Sequence, residues 1–152
     1  MDFETLTSLL SQNQLSISAA ESLTAGNFQT QLAATKNASQ VYPGGFITYS
    51  TDTKVKLLGI DPLIIKQHGV VSSSTAQAMA LHTQQKLTVD IALGFTGNAG
   101  PAGIENEPVG TVWIGIAYLD HLFAKQYHFN GEPGEIIQQT CQAGCNLIAE
   151  LI

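Results

Sequence analysis

The sequence predicts an α/β protein, with helices layered on a mixed sheet. Three observations carry this. In the first two thirds of the chain, segments of helical and of strand periodicity alternate, the pattern of parallel strands joined by helical crossovers. Near the end two apolar strand-like runs follow one another across a short polar turn, which makes an antiparallel hairpin. The chain has 152 residues, 44% of them hydrophobic. That is enough for one substantial core and too little for two, so residues 1–152 read as a single domain.

Each element has its own warrant. Residues 2–13 place Phe3, Leu6, Leu9 and Leu10 at helical spacing. Leu15 to Ala20 suits a first strand. From Thr24 the apolar positions Phe28, Leu32 and Ala33 return to helical period, with Thr24 as the expected N-cap. Residues 37–44 are turn-rich. Gly45 to Tyr49 reads as a strand, and Ser50 or Thr51 can cap a helix reaching Leu58. Asp61-Pro62 opens a short helix that stops near His68-Gly69. Ser72 to Lys86 forms a longer helix carrying Ala76, Met79 and Ala80. Val89 to Phe95 is an apolar strand followed by a glycine-rich loop, Gly94 to Pro101. Val109 to Leu119 pairs with Phe123 to Phe129 across Asp120-His121, and Ile136 to Ile152 closes as a helix.

Composition excludes several functions. All six basic residues are lysines, there is no arginine, and the net charge is -6. Tracking a nucleic-acid backbone needs a basic surface that this chain lacks. Any phosphate would be held by lysine, backbone N–H groups or hydroxyls, with no guanidinium fork available. Cys141 and Cys145, four apart on a helix face, read as small buried residues, since neither the spacing nor the neighbours suit a metal site. No signal-peptide plan and no apolar run of membrane-spanning length is present, so a soluble cytoplasmic protein is expected.

The chemistry concentrates at two strand-to-helix junctions, Ala20-Glu21-Ser22-Leu23-Thr24-Ala25-Gly26 and Gly45-Phe46-Ile47-Thr48-Tyr49-Ser50-Thr51-Asp52-Thr53-Lys54. A serine at a strand end faces free backbone N–H groups and the positive end of the next helix, which suits a nucleophile with an oxyanion hole. The same residue could equally be a helix cap. A serine nucleophile needs a base. None of His68, His82, His121 and His128 stands in a nucleophile elbow. Lys54 falls near the positive end of its helix, where the dipole and burial both disfavour the ammonium form; otherwise it is an exposed helix lysine. Tyr49 could relay a proton between the two through its hydroxyl. Tyr49 and Lys54 stand five apart across a junction, unlike the four-residue helical spacing of short-chain dehydrogenases, and no GxGxxG follows the first strand. The loop Gly94 to Pro101 lacks the GK[ST] of a P-loop, and Thr96 and Asn98 are its polar contributors.

Five segments in order carry a family resemblance: Ala-Glu-Ser-Leu-Thr-Ala-Gly, Gly-Phe-Ile-Thr-Tyr-Ser with Lys54 beyond it, His-Gly-Val-Val-Ser, Thr-Gly-Asn-Ala-Gly-Pro and Pro-Val-Gly-Thr-Val-Trp-Ile-Gly. The chain resembles the C-terminal domain of the competence-damage-inducible protein CinA, found alone as the PncC amidohydrolase. The resemblance implies a three-layer α/β/α fold, often dimeric, and deamidation of nicotinamide mononucleotide to nicotinate mononucleotide and ammonia in pyridine-nucleotide recycling. It implies a small-molecule nucleotide substrate, no cofactor and no metal. It makes Ser22 the nucleophile, Lys54 the base and Tyr49 their partner. It also assigns Glu21, Thr24, Gly26, Ser39, Gly45, Thr48, Thr96, Gly97, Asn98, Ala99 and Gly100 to the pocket or its support.

The chain departs from the family's pattern at several points. Leu23-Thr24-Ala25-Gly26 replaces Cys-Thr-Gly-Gly, Asn98 replaces an isoleucine, and Gly44, Gly131-Glu132-Pro133 and Ile137 stand where the family has arginines. If two of those arginines hold the mononucleotide phosphate, the loss is about 1.5–3 kcal/mol for each contact. Two alternatives therefore accompany the main expectation: the same site acting on a less charged amide, and a silent ligand- or partner-binding domain linked to competence or DNA damage.

Overall fold

The computed structural model describes residues 1–152. Five strands, β1 (Ile17–Glu21), β2 (Phe46–Ile47), β3 (Ile91–Gly97), β4 (Thr111–Tyr118) and β5 (His121–His128), make one sheet in the order β2-β1-β3-β4-β5. β1 runs parallel to β2 and β3, while β4 is antiparallel to β3 and to β5. The sheet is mixed, as the alternation and the late hairpin predict. Parallel neighbours need a long crossover, which the helices supply, whereas β4 turns into β5 through Leu119 and Asp120 alone. Leu119 takes a left-handed conformation, φ 54°, to make that turn.

Side-chain alternation divides the sheet into two faces. Ile17 and Ala19 of β1, Ile91, Leu93 and Phe95 of β3, and Val112, Ile114 and Ile116 of β4 point to one side. There they pack against α1 (Phe3–Gln12), α2 (Asn27–Ala33), α3 (Ala38–Val41) and α7 (Pro133–Ala149). Phe28 sits at the centre, its ring 5.3 Å from that of Phe3 and 4.8 Å from that of Phe95. The opposite face bears Ala20, Ala92, Gly94, Gly115 and Ala117, small residues that let α6 (Ser73–Leu87) lie close. A Cβ at Gly94 or Gly115 would strike the carbonyl of Ala76. α4 (Thr51–Leu58) and α5 (Pro62–His68) complete this layer, where Leu58, Ile60, Ile65, Ala78 and Met79 join Ala20 in a smaller core. The result is helix, sheet, helix.

Several boundaries differ from the sequence reading. α2 begins at Asn27 with Gly26, φ 97°, as its cap, so Thr24 is not the N-cap. Ala25 is also left-handed, φ 47°, and the two together form a turn that delays the helix. α3 occupies the segment expected to be turns. β2 is shorter than expected because the carbonyls of Thr48 and Tyr49 leave the sheet to meet a buried side chain described below. α7 opens at Pro133 rather than Ile136, started by a capping box between Glu132 and Glu135. Cys141 and Cys145 are free thiols inside this helix, and burial pushes them up to about 12 and about 11. No helix is long and apolar enough to cross a membrane.

Candidate active site

Ser22 follows the last residue of β1, at the carboxyl edge of the parallel strands. Its N–H donates to the Phe95 carbonyl of β3 at 3.0 Å, which fixes the backbone where the chain leaves the sheet. The next residues coil into a tight turn closed by Ala25 N–H donating to Ser22 O at 3.1 Å. The N–H groups of Leu23 and Thr24 make no hydrogen bond within the protein. They follow the serine directly, where an oxyanion hole is needed.

Lys54 arrives from the other junction. Ser50 caps α4 by accepting from Thr53 N–H at 3.1 Å, and this puts Lys54 one turn into the helix, aimed back beneath the strand edge. Its side chain is fully buried, and no carboxylate lies within ion-pair distance of it. Nζ stands 3.0 Å from Ser22 Oγ, 2.7 Å from the Thr48 carbonyl and 3.2 Å from the Tyr49 carbonyl. Burial pulls the Lys54 ammonium down from 10.5 to about 8. The donor count then has a chemical meaning. A neutral amine has two N–H groups and one lone pair. With two carbonyls taking the two hydrogens, the lone pair is left to face Ser22 Oγ, and it can take the serine proton once the hydroxyl turns from the Tyr49 carbonyl.

Tyr49 contributes its main chain. Its carbonyl also accepts from Ser22 Oγ at 3.3 Å, while its side chain is 71% exposed and its hydroxyl makes no hydrogen bond. The Tyr49 hydroxyl therefore stands away from the pair, and the carbonyl, which has no proton to relay, anchors the Ser22 hydroxyl and the Lys54 amine beside each other. Two hydroxyls near the pair in sequence, Thr24 Oγ1 and Thr48 Oγ1, are buried without a hydrogen-bond partner.

A cavity of about 400 Å³ opens over Ser22. Leu23, Tyr49, Ser50 and Thr51 form one side, Thr96 to Gly100 the floor, and Val70 and Ile104 an apolar wall; none of the lining residues is charged. Thr96, Gly97, Asn98, Ala99 and Gly100 thus line the cavity. Thr96 Oγ1 donates to Val70 O at 2.6 Å, and Asn98 Oδ1 accepts from Gly100 N–H at 3.0 Å, so both side chains shape the loop.

Glu21, Thr24, Gly26, Gly45 and Thr48 lie outside the lining. The buried Glu21 carboxylate accepts from the N–H groups of Phe28 and Gln29 at 2.9 and 3.0 Å and from Gln29 Nε2 at 2.9 Å, which anchors α2 to β1. Gly26 leaves room for the Ile47 side chain, and Gly45 for that of Gln29. Ser39 is a correction: it sits exposed on α3 beside a separate hollow lined by Ser16, Gln40 and Leu87. Leu23, Ser50, Thr51, Val70 and Ile104 were not anticipated as lining. Val70 belongs to the His-Gly-Val-Val-Ser segment, which was the available signal.

A three-layer α/β/α fold with a serine and a desolvated lysine paired at the carboxyl edge of its parallel strands defines the class structurally. The sequence model of the CinA C-terminal domain matches residues 3–152, and the chain belongs to that family. It is 46% identical over 136 residues to a competence-damage inducible protein of Lactiplantibacillus plantarum, covering 89% of this chain and 32% of that protein. A namesake from Caldicellulosiruptor bescii is 41% identical over 150 residues, covering 98% and 36%. The chain thus spans about a third of the length of the curated relatives it matches. Among solved structures, a CinA superfamily protein of Escherichia coli superposes with a TM-score of 0.94 at 26% identity, covering 99% of this chain and 90% of that one. A competence/damage inducible protein of Agrobacterium tumefaciens gives 0.91 at 27%, covering 99% and 96%.

Proposed function

We propose that this chain is an amidohydrolase that deamidates nicotinamide mononucleotide, releasing nicotinate mononucleotide and ammonia in pyridine-nucleotide recycling. The observation that carries this reading is the buried Lys54 amine, without a counter-ion, 3.0 Å from Ser22 Oγ. Neutral Lys54 takes the Ser22 proton as Oγ attacks the carboxamide carbon. The oxyanion is held by the N–H groups of Leu23 and Thr24. Lys54 then passes its proton to the departing nitrogen, the C–N bond breaks, and ammonia leaves an ester on Ser22. A water molecule, deprotonated by the same amine, cleaves the ester and restores both groups.

The test is ammonia release from nicotinamide mononucleotide by purified protein. Ser22→Ala and Lys54→Ala should each lower kcat by about a thousandfold or more while circular dichroism stays native. Wild-type release no faster than that of Ser22→Ala would sink the proposal.

A second reading is favoured by one observation: the uncharged lining of the cavity in a chain without arginine. A phosphomonoester would meet only hydroxyls and N–H groups there, whereas a neutral amide loses nothing. Comparing kcat/KM for the mononucleotide, its riboside and nicotinamide separates the two. We also take the protein to be a homodimer, as the family resemblance implies, which sedimentation velocity checks.

A further inference from the structure

The apolar wall of the cavity is held by one acidic residue with no chemistry of its own. Residues 98–110, between β3 and β4, fold back so that Ile104 lines the cavity although it is 41% exposed and has no core around it. The turn is tight: Glu105 and Asn106 are both left-handed, φ 52° and 64°, and Glu107 N–H closes it onto Ile104 O at 2.8 Å. Between residues 101 and 106, only Glu105 hydrogen-bonds outside the loop. Its carboxylate accepts from Val70 N–H at 2.8 Å to Oε2 and 3.1 Å to Oε1, with Val71 N–H 3.5 Å from Oε2.

The receiving side is built to match. Gly69 is left-handed, φ 87°, and a Cβ there would lie 2.6 Å from Glu105 Oε2. The Val70 carbonyl is meanwhile fastened to β3 by Thr96 Oγ1 at 2.6 Å. The Val70 residue is thus gripped from both ends, by Thr96 beneath and Glu105 above.

We propose that Glu105 is a positioning residue for substrate: its carboxylate clasps the amides of Val70 and Val71 and thereby holds Ile104 over the cavity, completing the apolar wall against which a planar aromatic amide packs. The nature of that ligand rests on the amidohydrolase reading; the clasp itself does not. Glu105 touches none of the reacting atoms, so its loss acts on binding far more than on the chemical step.

The experiment uses Glu105→Ala and Glu105→Gln, the second of which keeps one acceptor oxygen. In Glu105→Ala, hydrogen exchange at Val70 and Val71 should accelerate about tenfold, with Glu105→Gln between it and wild type. KM for both nicotinamide mononucleotide and its riboside should rise about tenfold in Glu105→Ala and less in Glu105→Gln, with kcat changed less than about threefold. In a Ser22→Ala background, Kd for the riboside by calorimetry should weaken by the same factor. Unchanged exchange, or accelerated exchange with unchanged KM and Kd, overturns the proposal. So does a KM that falls for the mononucleotide alone, since the carboxylate would then be repelling phosphate. Wild type that binds the riboside with a Glu105-dependent Kd but releases no ammonia sinks the amidohydrolase reading and leaves the clasp standing. Wild type that binds neither compound overturns both.

Discussion

Burial is what makes Lys54 a base, and it dictates how the protein responds to pH. Below about 8 the amine is protonated and has no lone pair for Ser22. Therefore kcat/KM should rise about tenfold per pH unit toward 8 and level off above it, a limb that a pH–rate profile reads directly. Stability follows with its own sign. The folded protein holds this proton less tightly than the unfolded chain, whose lysine titrates near 10.5. Raising the pH from about 8 to 10.5 should therefore stabilise wild type relative to Lys54→Met, and the difference should be constant below about 8, as paired urea titrations would show. Tyr49 makes a contrasting prediction. Only its carbonyl meets the pair, so Tyr49→Phe should lower kcat less than about threefold, where Lys54→Ala abolishes turnover. Ser22 and Lys54 were candidates in the sequence because a strand end and a helix start expose side chains in a known direction, and the family resemblance is what raised them above a helix cap and an exposed lysine. The carbonyls of Thr48 and Tyr49 were not, since every residue carries one and no side-chain pattern marks which will serve.

Helix α4 works as the mount for the base, and its cap is testable. Ser50→Ala removes the acceptor for Thr53 N–H and should cost about 1 kcal/mol in a urea titration, with a fall in kcat as the first turn frays beneath Lys54. In the same layer, Gly115→Ala puts a methyl against the Ala76 carbonyl and should cost about 1–3 kcal/mol by pushing α6 off the sheet. Elements with long periodic runs, such as α1, α6 and β4, announced themselves, because burying one face imposes its spacing on the residues. α3 did not: four residues are too few to display a period. The start of α2 misled because Thr24 has the chemistry of a cap, yet Ala25 and Gly26 together turn left-handed and defer the helix to Asn27. β2 stopped early for a reason outside its own sequence, the demand of a buried amine for two carbonyls.

At the scale of the whole molecule, the protein is an anion of net charge -6 with a neutral cavity. A mononucleotide is therefore repelled at long range with no cation in the cavity lining to offset it. Its KM should fall as salt is raised from about 20 to 200 mM, while the KM of the riboside, a pyridinium cation attracted by the net charge of -6, should rise. A layered α/β fold with a mixed sheet could be inferred from alternation and the late hairpin, and its three layers from the family resemblance, but the meeting of Val70 and Ile104 at one cavity could not, since it joins two loops distant in sequence. One other property of the whole fold follows from α7. Cys141 and Cys145, the chain's only thiols, face its interior and remain protonated far above neutrality. In the native state they are closed to alkylating reagents, which attack the exposed thiolate. The protein thus carries an internal clock for its own opening: the rate at which iodoacetamide labels it counts excursions that lift α7 from the sheet, without any added probe.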